Sequence, residues 1–303
     1  MLPTYPQSVE LTLAHRPLLH PLFGELRSGI SEFTFANIYL FRTAHHYRLS
    51  MLEDGTVVLL GRDKDVSFFM LPFGLPPLHR IQQLLAERGM MKCATKSQSE
   101  TLAAAGFRVL ADRDNFDYLY RRQDLAQLSG RYYHKKRNLI KAFVSTHRYT
   151  AKPLRSEYLA DALHVLDDWR AANEQAGDYQ AAREALEQMD TLQLCGGIYY
   201  VEERPVAYAL GEELPGMATY LIHFEKAVAG YKGLYQFINQ SFASVLPEDY
   251  ETINREQDMG DQGLRQAKLS YKPTGFTEKF KVFPSLPQPL PTSASNDSSL
   301  APY

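Results

Sequence analysis

Apolar residues recur along this chain in two rhythms. They fall at every second position over short runs and at every third or fourth position over longer ones, an alternation that predicts an α/β (α+β) protein. The second half shows it most clearly. Residues 149–154 alternate as a strand. Ser156 can cap a helix whose apolar stripe is Leu159, Leu163, Leu166 and Trp169. A second helix over 181–192 turns Leu186 and Met189 inward. Three strands follow at 197–201, 206–210 and 218–225, the first pair joined by the turn Glu-Glu-Arg-Pro. A helix over 233–245, a strand over 250–254, a helix over 262–269 and one last strand over 276–282 complete the order β-α-α-β-β-β-α-β-α-β.

The first half repeats much of this. A helix over 33–42 precedes strands at 47–52, 57–60 and 67–71. Pro77 opens a helix carrying Leu78, Ile81, Leu84 and Leu85, which Gly89 stops. Ser97-x-x-Glu100 has the form of a capping box before a short helix ended by Gly106. Strands at 107–110 and 116–120 then lead into a helix over 131–146. Each half thus holds helices, a three-strand meander, a helix and a strand, as a duplicated unit would. The expected division is residues 1–147, 148–283, and a tail from 284 to 303 whose Pro, Ser and Asn content predicts disorder.

Composition excludes some classes. No apolar run reaches the roughly 18–20 residues needed to span a bilayer, and the N-terminus lacks the basic and apolar regions of a secretory signal. Two cysteines, Cys93 and Cys195, supply neither a disulfide framework nor a zinc site, so a cytoplasmic protein with structural thiols is expected. Charge changes the picture more. The 303 residues carry a formal net charge of −2, yet residues 121–152 hold nine Lys/Arg against one acid, Asp124. Residues 155–190 hold nine acids and three arginines. Segregation this sharp points to an electrostatic task for the basic segment.

Three places could carry chemistry. The turn containing Gly230, Lys232 and Gly233 enters a helix N-terminus, where free N–H groups suit phosphate, although such turns also use glycine for backbone conformation alone. The basic helix places Lys135, Lys136, Arg137 and Lys141 beside Tyr132 and Tyr133. With Leu139, Ile140, Phe143 and Val144 buried, its cations form either a polyphosphate-binding face or a solvated one. The third segment, 253–273, gathers Asn254, Arg255, Glu256, Asp258, Asp261, Arg265 and Lys268 around Gly260 and Gly263, at a strand end entering a helix. Strand ends of this kind hold ligands in α/β sheets, and Arg265 and Lys268 share a helix face. Capping and salt bridges explain some of these residues but not all. There is no Gly-x-Ser-x-Gly elbow or Walker loop, and His45-His46 and Asp112-Arg-Asp114-Asn-Phe-Asp117 do not make metal sites.

The third segment also carries a resemblance. Asp258-Met-Gly-Asp-Gln-Gly-Leu-Arg-Gln-Ala-Lys268-Leu-Ser-Tyr271-Lys-Pro273 resembles the C-terminal domain family of phosphatidylglycerol lysyltransferase. Lys136-Arg-Asn-Leu-Ile-Lys141, His223-Phe-Glu225-Lys226-Ala and Gly233-Leu-Tyr-Gln236-Phe-Ile-Asn239 support it, over residues 10–283. The resemblance implies two tandem GNAT-like lobes, each a mixed central sheet flanked by helices. The architecture is also similar to the Fem peptidyltransferases, which move an amino acid from aminoacyl-tRNA to an amine. Their Gly-Leu-x-x-Phe-Lys segment is similar to Gly263-Leu-Arg-Gln-Ala-Lys268, with Ala267 where the Fem pattern has an aromatic. By that likeness Lys268 would sit near the tRNA acceptor end. Lysyltransferases that make lipid carry a large membrane domain absent from this sequence, so a cytosolic acceptor is expected at least as readily as a lipid.

The residues then fit an aminoacyl- or acyl-transferase acting by direct attack on an activated carbonyl. Lys135, Lys136, Arg137, Lys141 and the turn at Gly230, Lys232 and Gly233 would meet the donor's phosphates. Asp258 or Glu225 would position or deprotonate an amine or hydroxyl acceptor, held in a pocket of Asn254, Glu256, Arg265 and Tyr271. Lys268 and Arg255 would stabilise the oxyanion or hold the phosphate at the tRNA end. Neither a metal nor a permanently bound cofactor is required. The alternatives are an acyl-CoA donor bound at the glycine turn and a non-catalytic RNA-binding protein of the same fold.

Overall fold

The computed structural model describes residues 2–173 and 177–285. The expected disordered tail lies, from residue 286 onward, outside the described residues. Fourteen strands form among them: β1 (Val9–Glu10), β2 (Arg48–Met51), β3 (Val57–Asp63), β4 (Val66–Met70), β5 (Met91–Ala94), β6 (Arg108–Ala111), β7 (Asp117–Arg121), β8 (Tyr149–Pro153), β9 (Cys195–Val201), β10 (Arg204–Leu214), β11 (Thr219–Ala227), β12 (Thr252–Asn254), β13 (Gly275–Thr277) and β14 (Phe280–Phe283). They make two seven-stranded mixed sheets, ordered β1-β2-β3-β4-β5-β14-β6 and β8-β9-β10-β11-β12-β7-β13. Both sheets are flanked by helices, so the tandem mixed-sheet architecture expected from the sequence is the one observed.

The two sheets repeat one plan. Each has an antiparallel meander ending in a strand that pairs in parallel, across a helix, with the next: β4 with β5 and β11 with β12. The connecting helices are Leu78–Arg88 and Leu234–Val245. The next position in each sheet comes from the other half of the chain. β14 lies between β5 and β6, and β7 lies between β12 and β13. A cut between residues 147 and 148 therefore leaves each sheet with one strand belonging to the other piece.

The exchange explains a difference from the expected single strand over 276–282. The chain forms β13 in one sheet, crosses at Glu278 and Lys279, and forms β14 in the other. Alternation continues through the crossing, so periodicity alone reads it as one strand. Lys279 is wholly buried there, donating to Asp117 Oδ1 (2.7 Å) and Ser31 Oγ (3.1 Å) and pairing with Glu32.

Smaller differences are local. The capping box of helix Lys96–Ala104 is Thr95 with Gln98, two residues before the Ser97/Glu100 pair. Ser156 does not cap its helix; its hydroxyl donates to Asp190 Oδ2 (2.7 Å). The helix expected over 181–192 is two, Tyr179–Glu187 and Met189–Leu192.

Two apolar clusters form the core. One runs through both halves, including Tyr118, Tyr120, Phe143, Tyr199, Tyr208 and Phe224. The other packs Leu60 and Phe69 of the first sheet, with Leu71 just beyond β4, against Ile81, Leu84 and Leu85.

Candidate active site

β11 and β12 pair only from Thr219↔Thr252 to Leu221↔Asn254, and β11 runs on to Ala227 without its parallel neighbour. Here β11 also carries a bulge. Leu210 of β10 faces Phe224 while Gly211 faces Ile222, leaving His223 as the extra residue. The result is a notch between diverging strands, floored by β11 and closed at one end by the residues following Asn254.

Glu225 and Arg255 meet in this notch. Arg255 Nη2 donates to Glu225 Oε1 at 3.0 Å, with side chains only 15% and 10% exposed. Asn239, from helix Leu234–Val245, packs its amide on Arg255; with the amide oxygen assigned to that side it accepts from Nη1 and Nη2. The second carboxylate oxygen, Glu225 Oε2, is buried and has no hydrogen-bond partner among the described residues. An unmatched buried acceptor of this kind is costly and marks a place where a ligand donor fits.

Tyr271 connects the notch to the basic helix, His134–Thr146. Its ring lies between Lys136 Nζ, 3.4 Å from the centroid, and Arg255 Cζ, 5.4 Å away. Lys136 also donates to Ser270 Oγ (2.7 Å). Burial, with the Arg255 charge adding to it, lowers its pKa to about 8. Of the expected phosphate-binding cations, Lys136 is the one brought to the notch. Lys135 and Lys141 are exposed on the same helix. Arg137 is engaged elsewhere, donating to the carbonyls of Leu128 and Gly130 beyond the end of helix Arg122–Gln127. Of the expected apolar stripe, Ile140 and Phe143 are buried, Leu139 is partly buried and Val144 is exposed.

The glycine turn divides in the same way. Gly233 adopts φ +90°, and a Cβ there would lie 2.2 Å from the Leu139 carbonyl oxygen, so it lets the helix start against the basic helix. Gly230 and Lys232 are exposed, and nothing lies within 4 Å of a Cβ built on Gly230.

The segment 255–258 is held by its neighbours. Lys268 donates to the carbonyls of Arg255 (2.6 Å), Glu256 (3.1 Å) and Gln257 (2.6 Å). Burial and the Arg255 charge lower its pKa to about 8. With its ammonium spent on three carbonyls, Lys268 is a clamp on the loop rather than the oxyanion or phosphate group expected. Asp258 likewise departs from the role of base. It is wholly buried, accepts from Arg265 Nε and Nη2 (2.9 and 2.7 Å), Tyr118 Oη (2.5 Å) and Gly260 N (2.9 Å), and lies 3.5 Å from Arg113 Nη1. Burial opposes ionisation, but these donors hold the carboxyl well below its usual range.

The four residues expected to form an acceptor pocket do not form one. Asn254 is buried, donating to Gly29 O and accepting from Glu256 N. Arg265 is paired with Asp258 and Asp114. Tyr271 lies in the notch, and Glu256 turns to His223. None of the four lines the large cavity of about 720 Å³ that opens beside strands β8, β9 and β10. Its walls include Gly197, Tyr199, Glu212, Tyr220 and Phe242.

Two groups were missed in the sequence. His223 lies between Glu212 and Glu256, each 2.8 Å away. Burial opposes its protonation, but both carboxylates outweigh it and raise the pKa to about 10. Tyr199 lines the cavity, and its phenol, raised by burial, also feels the Glu225 carboxylate. The available signal was a charged residue, Glu212, inside an apolar strand run.

Residues 23–283 match the family described as phosphatidylglycerol lysyltransferase, C-terminal. The chain belongs to that family. A conserved protein from Bacteroides thetaiotaomicron shares 29% identity and a TM-score of 0.81 over 94% of this chain and 100% of that one. L-PGS from Bacillus licheniformis superposes with a TM-score of 0.55 at 15% identity, covering 81% and 86% of the two chains. FemX gives a TM-score of 0.58 at 9% identity, covering 91% and 96%. The chain spans about half, 55%, of the curated relative it matches, a protein of Mycoplasmoides gallisepticum, at 25% identity over 176 residues. The likeness to L-PGS and FemX, at 15% and 9% identity, is one of fold. Among the described residues no helix is long and apolar enough to cross a membrane, and no three His, Cys, Asp or Glu are grouped to hold a metal ion.

Proposed function

We propose that this protein transfers an aminoacyl group from aminoacyl-tRNA to an amine or hydroxyl acceptor at the notch between β11 and β12. The observation that carries this is Glu225 Oε2, buried and unpartnered beside Arg255, with Lys136 of the basic helix one tyrosine ring away. Lys135 and Lys141 are exposed on the same helix and add to its positive charge, which favours a polyphosphate chain.

In the reaction, the acceptor nucleophile donates a hydrogen bond to Glu225 Oε2 and attacks the ester carbonyl. The new C–N or C–O bond forms and the ester C–O bond to the ribose breaks. Glu225 takes the nucleophile's proton. Lys136, with its lowered pKa, supplies one to the departing ribose oxygen. Arg255 holds Glu225 in place through its hydrogen bond to Oε1. Packing against the Leu139 carbonyl accounts for Gly233 without a phosphate ligand.

The test uses tRNA charged with labelled amino acids and a mixture of candidate acceptors. Glu225→Gln is expected to lower transfer about 10²–10⁴-fold while tRNA binding, read by anisotropy at two salt concentrations, is unchanged. Unchanged transfer in Glu225→Gln would overturn the catalytic assignment. Binding of tRNA without transfer by either protein would favour an RNA-binding role instead. Absence of tRNA binding would return the acyl-CoA donor to first place.

A further inference from the structure

One turn, Arg131–Tyr133, precedes the basic helix, and its two tyrosines part ways. Tyr133 is buried and donates to the carbonyl of Tyr271 (3.0 Å), which ties the turn to the segment bearing that residue. Arg137 ties its other end, donating to the carbonyl of Gly130 (2.7 Å). Tyr132, between these ties, is 66% exposed, the most open aromatic side chain among the described residues.

Cations flank the open ring. Arg131 Cζ is 5.1 Å and Lys272 Nζ 5.5 Å from its centroid, and Arg131 Nη2 donates to the Tyr132 hydroxyl (3.2 Å). Both stand farther off than Lys136 does from Tyr271, 3.4 Å, and the exposure of Tyr132 leaves room on the ring for a planar partner. Among the described residues none of Arg131, Lys135, Lys136, Lys141 and Lys272 lies within salt-bridge distance of a carboxylate, so the charge around the ring is not neutralised. The patch runs into the notch: Lys272 follows Tyr271 in the chain, and Tyr271 leads through Arg255 to Glu225.

Unpaired bases stack on open aromatic rings while cations take the phosphates beside them, and the two features together suit single-stranded nucleic acid. An acidic peptide or a lipid head group would use the cations and leave the ring idle. We propose that Tyr132 is a stacking platform for a base of the unpaired 3′ end of the donor RNA, with Arg131 and Lys272 on the neighbouring phosphates and the ester-bearing ribose continuing toward Glu225. This rests on the transferase reading above and adds to it a site for the end of the donor.

The test uses the full chain and two RNA stem-loops, one blunt and one with an unpaired 3′ end carrying 2-aminopurine, whose fluorescence falls when it stacks. The wild type is expected to bind the second more tightly and to quench it. Tyr132→Ala is expected to weaken binding of that RNA roughly 5–150-fold, the equivalent of about 1–3 kcal/mol for one stacked base, with quenching lost and the blunt stem bound as before. Tyr132→Phe should match the wild type, and neither variant should change the melting temperature, because the side chain is exposed. Unchanged binding and quenching in Tyr132→Ala, or equal weakening toward both RNAs, would overturn the platform and leave the tRNA donor standing. If the wild type binds neither RNA, the donor reading falls and the platform with it. If coenzyme A, whose adenine offers the same face, binds in a Tyr132-dependent way and RNA does not, the ring serves a nucleotide carrier and the RNA assignment is overturned.

Discussion

Lys279, at the crossing between the two sheets, buries its ammonium 2.7 Å from Oδ1 of Asp117, the first residue of the other exchanged strand. Both side chains are entirely inaccessible to solvent. The pair joins the two points at which the chain passes from one sheet to the other.

Removing one partner of such a pair leaves uncompensated buried charge. Lys279→Met is therefore expected to destabilise the protein by roughly 3–5 kcal/mol, read as a lower urea midpoint. Because the strands are exchanged, both sheets are expected to unfold in one transition. Two separated transitions in the wild type would contradict this coupling.

Lys268 offers a choice between clamp and catalyst. As a clamp on three carbonyls, its replacement in Lys268→Met is expected to cost about 1.5–3 kcal/mol of stability, with transfer per folded molecule falling less than tenfold. A loss of 10²–10³ in kcat with stability unchanged would instead place it on the developing oxyanion.

Within the basic helix, contact and support are expected to separate. Lys135→Ala and Lys141→Ala should weaken tRNA binding, each reducing the salt slope by about 0.7–0.9, with no change in melting temperature. Arg137→Ala should instead lower stability by about 1.5–3 kcal/mol, because two carbonyls lose a charged donor. Equal effects of all three on binding alone would reject this partition.

His223 sets a pH dependence of stability. Its folded pKa is raised to about 10 against an unfolded value near 6.5, so its contribution is fully present below about pH 6.5 and is lost as pH rises through about 10. Melting temperature is expected to fall between pH 7 and 10. His223→Gln should be less stable at pH 6 and show a flatter profile. Parallel profiles for the two proteins would remove His223 as the cause.

Much of this protein was legible as local pattern. Two- and four-residue periodicities placed most elements, because a residue facing a core must be apolar wherever that core lies, but they missed the helices Arg16–Gly24 and Arg122–Gln127 and the short strands β1 and β5. The 253–273 segment and the basic helix were visible as density and imbalance of charge, and tertiary packing does bring them together through Lys136, Tyr271 and Arg255. The roles within them were not legible. Asp258 and Glu225 are both carboxylates close to cations in the sequence, Arg255 and Lys226, yet among the described residues one is saturated with donors and the other keeps an unpartnered buried oxygen. That difference depends on which side chains arrive from elsewhere.

The sequence by itself determined the α/β order and the segments where chemistry gathers, since each follows from residue type and spacing along the chain. Only the tertiary structure decided which sheet receives β7 and β14, which cations are free, and which carboxylate is open. Those outcomes depend on contacts between residues more than a hundred positions apart, such as Lys279 with Asp117 and Lys136 with Ser270, and on the burial that sets the cost of every unpaired charge.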